Sequence, residues 1–121
     1  MSDLEYTPAV VEQKMRKLMN EMYFQHKENA KNRESLRVAK HALKHADSEE
    51  KVKLGGEGTV SEREGRVFLA IEKEQIAFDI AQVELDNAIE YLRVLEKQMS
   101  ALQSIGSSVR QAYSAIGVVE P

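Results

Sequence analysis

Apolar residues in the second half of the chain recur at alternating spacings of three and four. The series begins at Ile71, is interrupted at Glu74, and continues past Gly106. Such a sustained heptad repeat predicts a helix that packs along its length against another helix, and we call its positions the seam. The apolar seam residues are Ile71, Phe78, Ala81, Leu85, Ala88, Leu92, Leu95, Met99, Leu102, Val109, Tyr113 and Ile116.

The first half carries a matching seam with a polar middle. Apolar seam positions occur within residues 11–22 and again within 36–46, and the positions between them are Gln25, Asn29 and Asn32. Polar seam residues lower stability and often fix the register or the oligomeric state of a coiled coil. A locally loose or hydrated segment is the alternative, and the sequence leaves both open.

Proline and glycine divide the chain into the predicted elements. Thr7 as N-cap and Pro8 at the first helical position predict a helix over 8–54, and the glycines that follow predict a turn over 55–60. A capping box at Ser61 and Glu64 opens a second helix over 61–105, which Gly106 ends or kinks. A further capping box at 108–111 predicts a short C-terminal helix over 108–116, stopped by Gly117.

These elements predict an all-α fold in one domain: a long antiparallel, coiled-coil-like two-helix hairpin with a short C-terminal helix. A second apolar stripe lies to one side of the seam, and a single partner helix cannot cover both. Because a soluble monomer rarely exposes an apolar surface of that size, we expect a homo-oligomer. The second stripe consists of Ile76, Ile80, Val83, Val94, Ala101 and Ile105.

Composition supports long helices and offers little chemistry. The 121 residues include no Cys and no Trp, which excludes disulfides, Cys-based zinc sites and a Cys nucleophile. His41 and His45 share a helix face, but a solvated basic face explains them better than a metal site, because no third ligand is near. We therefore expect no enzyme activity, no catalytic residues, no metal and no cofactor.

No secretory leader is visible in residues 1–11, and no stretch has the roughly 18 apolar residues that a membrane-spanning helix requires. The expected location is cytoplasmic, the host cytoplasm if a phage encodes the protein, with no membrane partner.

The net charge of −3 hides an asymmetry along the chain. Residues 12–53 hold eleven Lys and Arg against seven Asp and Glu, whereas residues 57–121 hold six against eleven. The first helix could present a basic surface, or two oppositely charged helices could simply lie beside each other.

Six basic residues accumulate in the second half of the first helix, and four of them follow i, i+4, i+7, i+11 spacing. A stripe of this kind can bind phosphates without reading bases, which gives weak, salt-sensitive binding to nucleic acid. The alternative is a solvated face that pairs with Glu34 and with acidic residues of the second helix. The candidate DNA-binding residues are Arg33, Arg37, Lys40, Lys44, Lys51 and Lys53.

The last 80 residues or so resemble the recombination mediator proteins of T-even-type phages. The resemblance rests on Ala42-Leu43-Lys44, the turn at 55–58, Ser61-Glu62-Arg63-Glu64, and the stretch 92–113 with its sequence Ala-Leu-Gln-Ser-Ile-Gly. It implies single-stranded-DNA binding, with Lys44 at a DNA-contacting position, and loading of a recombinase onto strands covered by single-strand-binding protein. It also implies ring-like oligomers formed through the C-terminal region, by Leu102, Ile105, Val109, Tyr113 and Ile116.

The sequence thus predicts an oligomeric phage-type recombination mediator or accessory protein that binds single-stranded DNA. Its partners would include single-stranded DNA, further copies of the chain, and possible contacts with a recombinase and a single-strand-binding protein. The alternative is a coiled-coil scaffold or virion-assembly protein that binds only protein. A secreted helical-hairpin effector with a Trp-x-Gly turn is disfavoured, because the chain contains no Trp.

Overall fold

Three helices make up the fold in a computed structural model that describes residues 6–117. They are α1 (Pro8–Leu54), α2 (Val60–Ala70) and α3 (Glu72–Ala115). The long helices α1 and α3 pack against each other, so the predicted all-α antiparallel hairpin is confirmed. Residues 1–5 lie outside the described residues, and part of the expectation about a leader segment falls on them.

The chain divides into two compact units. The terminal unit comprises residues up to Lys27 together with those from Ile89 onward, and the turn unit is Glu28–Ala88. The single domain stays a prediction. With the exception of Val67 on α2, which the sequence analysis did not include, the buried apolar side chains are those of the predicted seams. The buried apolar residues are Val11, Leu18, Leu92, Leu95 and Val109 in the terminal unit, and Val67, Ile71, Ala81 and Leu85 in the turn unit.

The polar middle of the α1 seam is also turned inward. Asn29 is buried, and Gln25 and Asn32 are half-buried. Asn29 therefore occupies a true seam position in the turn unit. A buried Asn at a seam position is the arrangement that specifies register in coiled coils.

The start of α1 is the one predicted from Thr7-Pro8. The Thr7 hydroxyl accepts a hydrogen bond from the Val10 backbone N–H at 3.2 Å, and the Thr7 carbonyl accepts one from the Val11 N–H at 3.0 Å. Pro8 is the first helical residue, where its missing N–H leaves no bond unmade.

The turn between α1 and α2 depends on glycines with positive φ and on one arginine. Gly55 has φ of 57° and Gly58 has φ of 78°, a backbone region that side chains other than glycine rarely adopt. The Arg63 guanidinium donates to the carbonyls of Gly56 and Gly58, at 3.2 and 2.7 Å. The first turn of α2 is thereby fastened to the loop that precedes it.

The N-cap of α2 is Thr59, so the predicted capping box at Ser61 and Glu64 was wrong. The Thr59 hydroxyl accepts from the Glu62 N–H at 3.1 Å, and the Glu62 carboxylate accepts from the Thr59 N–H at 3.5 Å. The sequence contains two overlapping Ser/Thr-x-x-Glu patterns. The earlier one forms because the positive φ of Gly58 completes the turn there, which lets α2 begin at Val60.

The predicted uninterrupted helix over 61–105 was also wrong, because the chain leaves helical geometry at Ile71. This residue has φ of −103° and ψ of 12°, and it separates α2 from α3. Its N–H still bonds the Val67 carbonyl at 3.0 Å, and its carbonyl accepts from the Gln75 N–H at 2.9 Å. The interruption is a bend at one buried residue, with neither proline nor glycine at that position to signal it.

Gly106 does not end α3, and the separate C-terminal helix predicted over 108–116 is wrong, because those residues belong to α3. Helix α3 continues to Ala115, and the positive φ of Gly117, 70°, terminates it. Gly106 is buried at a seam position, and a Cβ added there would stand 3.1 Å from Cγ1 of Val11. Its missing side chain leaves room for the close approach of α1, so this glycine is a packing residue.

Alanine should stabilise the protein more at Gly65 than at Gly106. Gly65 is exposed within α2 with nothing within 4 Å of an added Cβ, so Gly65→Ala should raise the unfolding free energy by about 0.5–1 kcal/mol. Gly106→Ala gains the same helix propensity, but its new Cβ crowds buried Val11. Gly106→Leu adds a larger side chain at this position and should lower the unfolding free energy by about 1–3 kcal/mol. Thermal unfolding monitored by circular dichroism measures both, and an equal rise in Tm for the two alanine variants would contradict this packing role.

Candidate nucleic-acid interface

All six candidate DNA-binding residues are exposed on α1 within the turn unit, and five of them share one flank. Arg33 and Lys40 are seven residues apart, as are Arg37, Lys44 and Lys51 in turn. Residues seven apart lie almost above one another on a helix that packs in heptads. We call these five residues the basic stripe. From Arg33 to Lys44 it extends roughly 16 Å along the helix axis.

Lys53 stands apart from the basic stripe. It follows Ala46 by seven residues and therefore occupies a seam position at the very end of α1. Its ammonium group lies 3.4 Å from the Glu50 carboxylate and 3.8 Å from that of Glu49. The structure thus does not bring Lys53 together with the other candidate residues.

Two residues of the basic stripe already have acidic partners on α1. The Arg37 guanidinium contacts Glu34 through Nη2 at 2.6 Å and through Nε at 3.0 Å, and Lys51 lies 2.8 Å from Asp47. The hydrogen bond and the charge of Arg37 lower the pKa of Glu34, and the same contacts raise the pKa of Arg37. These exposed pairs reduce the local positive potential without burying any charge.

The other three residues of the stripe have no acidic partner among residues 6–117. Within the described chain no carboxylate lies within ion-pair distance of Arg33, Lys40 or Lys44. Their donors face solvent over about three helical turns. Free, exposed cations in a row are the groups that a phosphate backbone can engage, because no existing pair has to be broken first.

Acidic residues of α3 do not neutralise the stripe by direct contact. Over residues 6–117 each ion pair joins two residues of the same helix, so the expected pairing with the second helix is absent, while that with Glu34 is present. Asp79 and Asp86 occupy the heptad positions that flank the stripe side of the hairpin. Their carboxylates accept from the side chains of Gln75 and Gln82, at 3.0 and 3.1 Å.

The two histidines beside the stripe are exposed. His45 Nδ1 lies 3.6 Å from the Glu49 carboxylate, and His41 points to solvent. Among the described residues no group of three or more His, Asp or Glu side chains is placed to hold a metal ion.

The residues expected to drive oligomerisation lie in the terminal unit and differ in accessibility. Val109 is buried within the chain, Leu102 is half-buried at the seam, and Ile116 is exposed. Ile105 and Tyr113 line an open groove of about 410 Å³ together with Tyr6. Only part of the predicted set is therefore free to contact a second molecule.

A second groove in the terminal unit escaped the sequence reading. Phe24 of α1 and Tyr91 of α3 line it with Asn20, Glu21 and Gln25, and it encloses about 440 Å³. Tyr91 occupies a position that flanks the seam, whereas Phe24 lies at an outer heptad position, so spacing alone did not bring the two together.

The fold and this surface define a helical-hairpin protein with an exposed cationic stripe on its first helix. The sequence matches no protein-family model, no curated protein and no solved structure at a significant level. Within the part of the chain that the structure describes, no helix has the length and apolar content to cross a membrane.

Proposed function

We propose that this protein is an oligomeric recombination mediator or accessory protein of the phage type, which binds single-stranded DNA along the basic stripe. In this role it assists the loading of a recombinase onto strands covered by single-strand-binding protein. The observation that carries the proposal is a row of three exposed cations on one flank of α1, Arg33, Lys40 and Lys44, which have no ion-pair partner in the described part of the chain.

The stripe suits a single strand for two reasons. Its cations hold phosphates by charge alone, which is independent of base sequence and tolerates the irregular backbone of an unpaired strand. The basic stripe has no exposed aromatic side chain on which a base could stack, because the exposed Phe68 of the turn unit lies on α2. Binding by one chain is therefore weak, and several chains joined in an oligomer add their stripes through avidity.

Salt dependence tests the proposal directly. With three unpaired cations engaged, the logarithm of the binding constant for a fluorescein-labelled oligothymidine should fall against the logarithm of salt with a slope of about −2 per chain. Fluorescence anisotropy between ~50 and ~200 mM salt measures this slope. An absence of binding at the lowest salt would contradict the DNA-binding function. A binding constant that does not change with salt would contradict the role of the stripe.

A second candidate function is a coiled-coil scaffold or virion-assembly protein that binds only protein. The exposed apolar side chains on α2 and α3, among them Phe68, Leu69 and Ile76, favour it. It implies the same self-association without any affinity for the oligonucleotide, so the anisotropy titration separates the two functions.

A further inference from the structure

An apolar surface lies on α2 and α3 in the turn unit, away from the basic stripe. Four side chains form it: Leu69, Ile76, Ile80 and Val83, each more than half exposed. Leu69, Ile76 and Val83 are seven residues apart in turn, and Ile80 fills the step between the last two. We call these four residues the apolar flank. Three of them come from the second stripe that the sequence predicted, and the structure leaves all three uncovered.

The apolar flank has the form of a helix-packing surface. Its spacing of seven, four and three is that of a seam, and all four side chains are exposed within residues 6–117. Leu69 and Ile76 line an open groove with Ala70, Glu72 and Lys73. Exposed leucine, isoleucine and valine in a row over several turns are rarely left to solvent, because their burial against another helix is favourable.

Two unpaired charges of opposite sign border this surface. Lys73 precedes Ile76, and Glu84 follows Val83, and neither has an ion-pair partner within the described chain. By contrast, Asp79 and Asp86 on the other side of α3 accept hydrogen bonds from glutamines. The flank thus presents a lysine at one end, a glutamate at the other, and apolar residues between them.

We propose that the occupant of the apolar flank is the same flank of a second copy of this chain, packed antiparallel about a two-fold axis close to Ile80. A two-fold interface requires a patch that is complementary to itself, and the span from Lys73 to Glu84 meets this requirement with apolar residues between two opposite charges. Reversing the direction of α3 about the point midway between Asp79 and Ile80 sets Ile76 opposite Val83 of the second copy. It also brings Lys73 within about one turn of Glu84 of the second copy, and symmetry repeats that pair.

This interface adds a self-association surface to the proposed function. It rests on that function in one respect, because weak binding of DNA by one chain requires several basic stripes in one assembly. The basic stripe follows the seam on one side of the hairpin, and the apolar flank follows it on the other, by their heptad positions. Pairing through the apolar flank therefore leaves both stripes exposed, and a dimer presents two of them to one strand of DNA.

A charge-swap series tests the interface without any DNA. Lys73→Glu alone and Glu84→Lys alone each place like charges at both symmetric contacts, so each should raise the dissociation constant about tenfold. The double variant restores opposite charges and should return the dissociation constant to within about threefold of the parent. Sedimentation equilibrium measures all four proteins, and circular dichroism checks that each is helical.

Crosslinking tests the position of the axis. Because the chain has no cysteine, Ile80→Cys introduces a single thiol that should meet its symmetric counterpart and oxidise to a covalent dimer. Ser48→Cys, exposed on α1, is the matched control and should form little covalent dimer under the same oxidant.

Three outcomes overturn the interface: a monomeric parent protein, a double charge swap that fails to restore association, or equal crosslinking of the two cysteine variants. DNA binding is measured separately by anisotropy. A protein that binds DNA but fails these tests refutes the interface alone, and one that passes them without binding DNA refutes the proposed function alone.

Discussion

Lys40→Glu combined with Lys44→Glu should weaken binding to single-stranded DNA by roughly 25-fold at ~0.1 M salt, and by more where the new carboxylates repel phosphates. Both lysines are exposed and unpaired in the described chain, so their loss removes two phosphate contacts without breaking an internal pair. The slope of log binding constant against log salt should become less steep by about 1.4. Fluorescence anisotropy with labelled oligothymidine measures both quantities.

The control is a variant with the same change in net charge at a different place. Lys14→Glu combined with Lys17→Glu alters two exposed lysines of α1 in the terminal unit, three residues apart. If binding depends on the basic stripe, this variant should lose only a few-fold in affinity through long-range electrostatics. Equal losses for the two variants would show that net charge, and not the stripe, governs binding.

Leu95→Ala should lower the free energy of unfolding by about 3 kcal/mol, within the range of about 2–5 kcal/mol found for buried leucines. Leu95 is only 3% exposed at a seam position of the terminal unit, so its truncation removes apolar contacts and leaves a cavity between the helices. Urea unfolding followed by circular dichroism, at a protein concentration below that of self-association, measures the change.

Leu69→Ala is the matched control, because it deletes the same atoms from a leucine that is 69% exposed. At that low concentration the unfolding free energy should change by about 0.5 kcal/mol or less. Similar losses in both variants would mean that the seam assigned from the heptad repeat is not the core of the hairpin.

The heptad register was the most informative feature of the sequence. It predicted which residues of α1 and α3 are buried, because only one face of each helix can meet the other. The same register also assigned Gly106 to a seam position between Leu102 and Val109, which implies a continuous helix. Treating that glycine as a helix breaker gave too much weight to propensity, whose cost of about 1 kcal/mol is smaller than the gain from close packing with Val11.

The bend at Ile71 and the cap at Thr59 could not be derived in the same way. A bend at a buried isoleucine has no local signature, because it follows from how the side chains on both sides pack. The cap depended on which of two similar patterns the turn would favour, and that choice rests on the backbone conformation of Gly58. Local sequence proposes such alternatives, and the tertiary structure selects between them.

The candidate interface was only partly readable from spacing. The spacing of Arg33, Arg37, Lys40 and Lys44 correctly placed them on one flank. The pairing of Arg37 with Glu34 and of Lys51 with Asp47 was also open to inference, because residues three or four apart on a helix are neighbours. Lys53 was included among the candidate DNA-binding residues because basic residues were counted along a stretch of sequence, without regard to the face of the helix on which each one lies.

The hydrogen bonds from Arg63 to the carbonyls of Gly56 and Gly58 act as a clamp on the turn. This clamp bears on the order in which the chain folds. Near the turn, opposing seam residues are separated by few residues, whereas Val11 and Gly106 are separated by almost the whole chain. Because the entropy lost on loop closure rises with loop length, pairing should nucleate beside the clamp and propagate outward like a zipper. Loosening the clamp would then slow the folding rate, while damage at the Val11 end would chiefly accelerate unfolding.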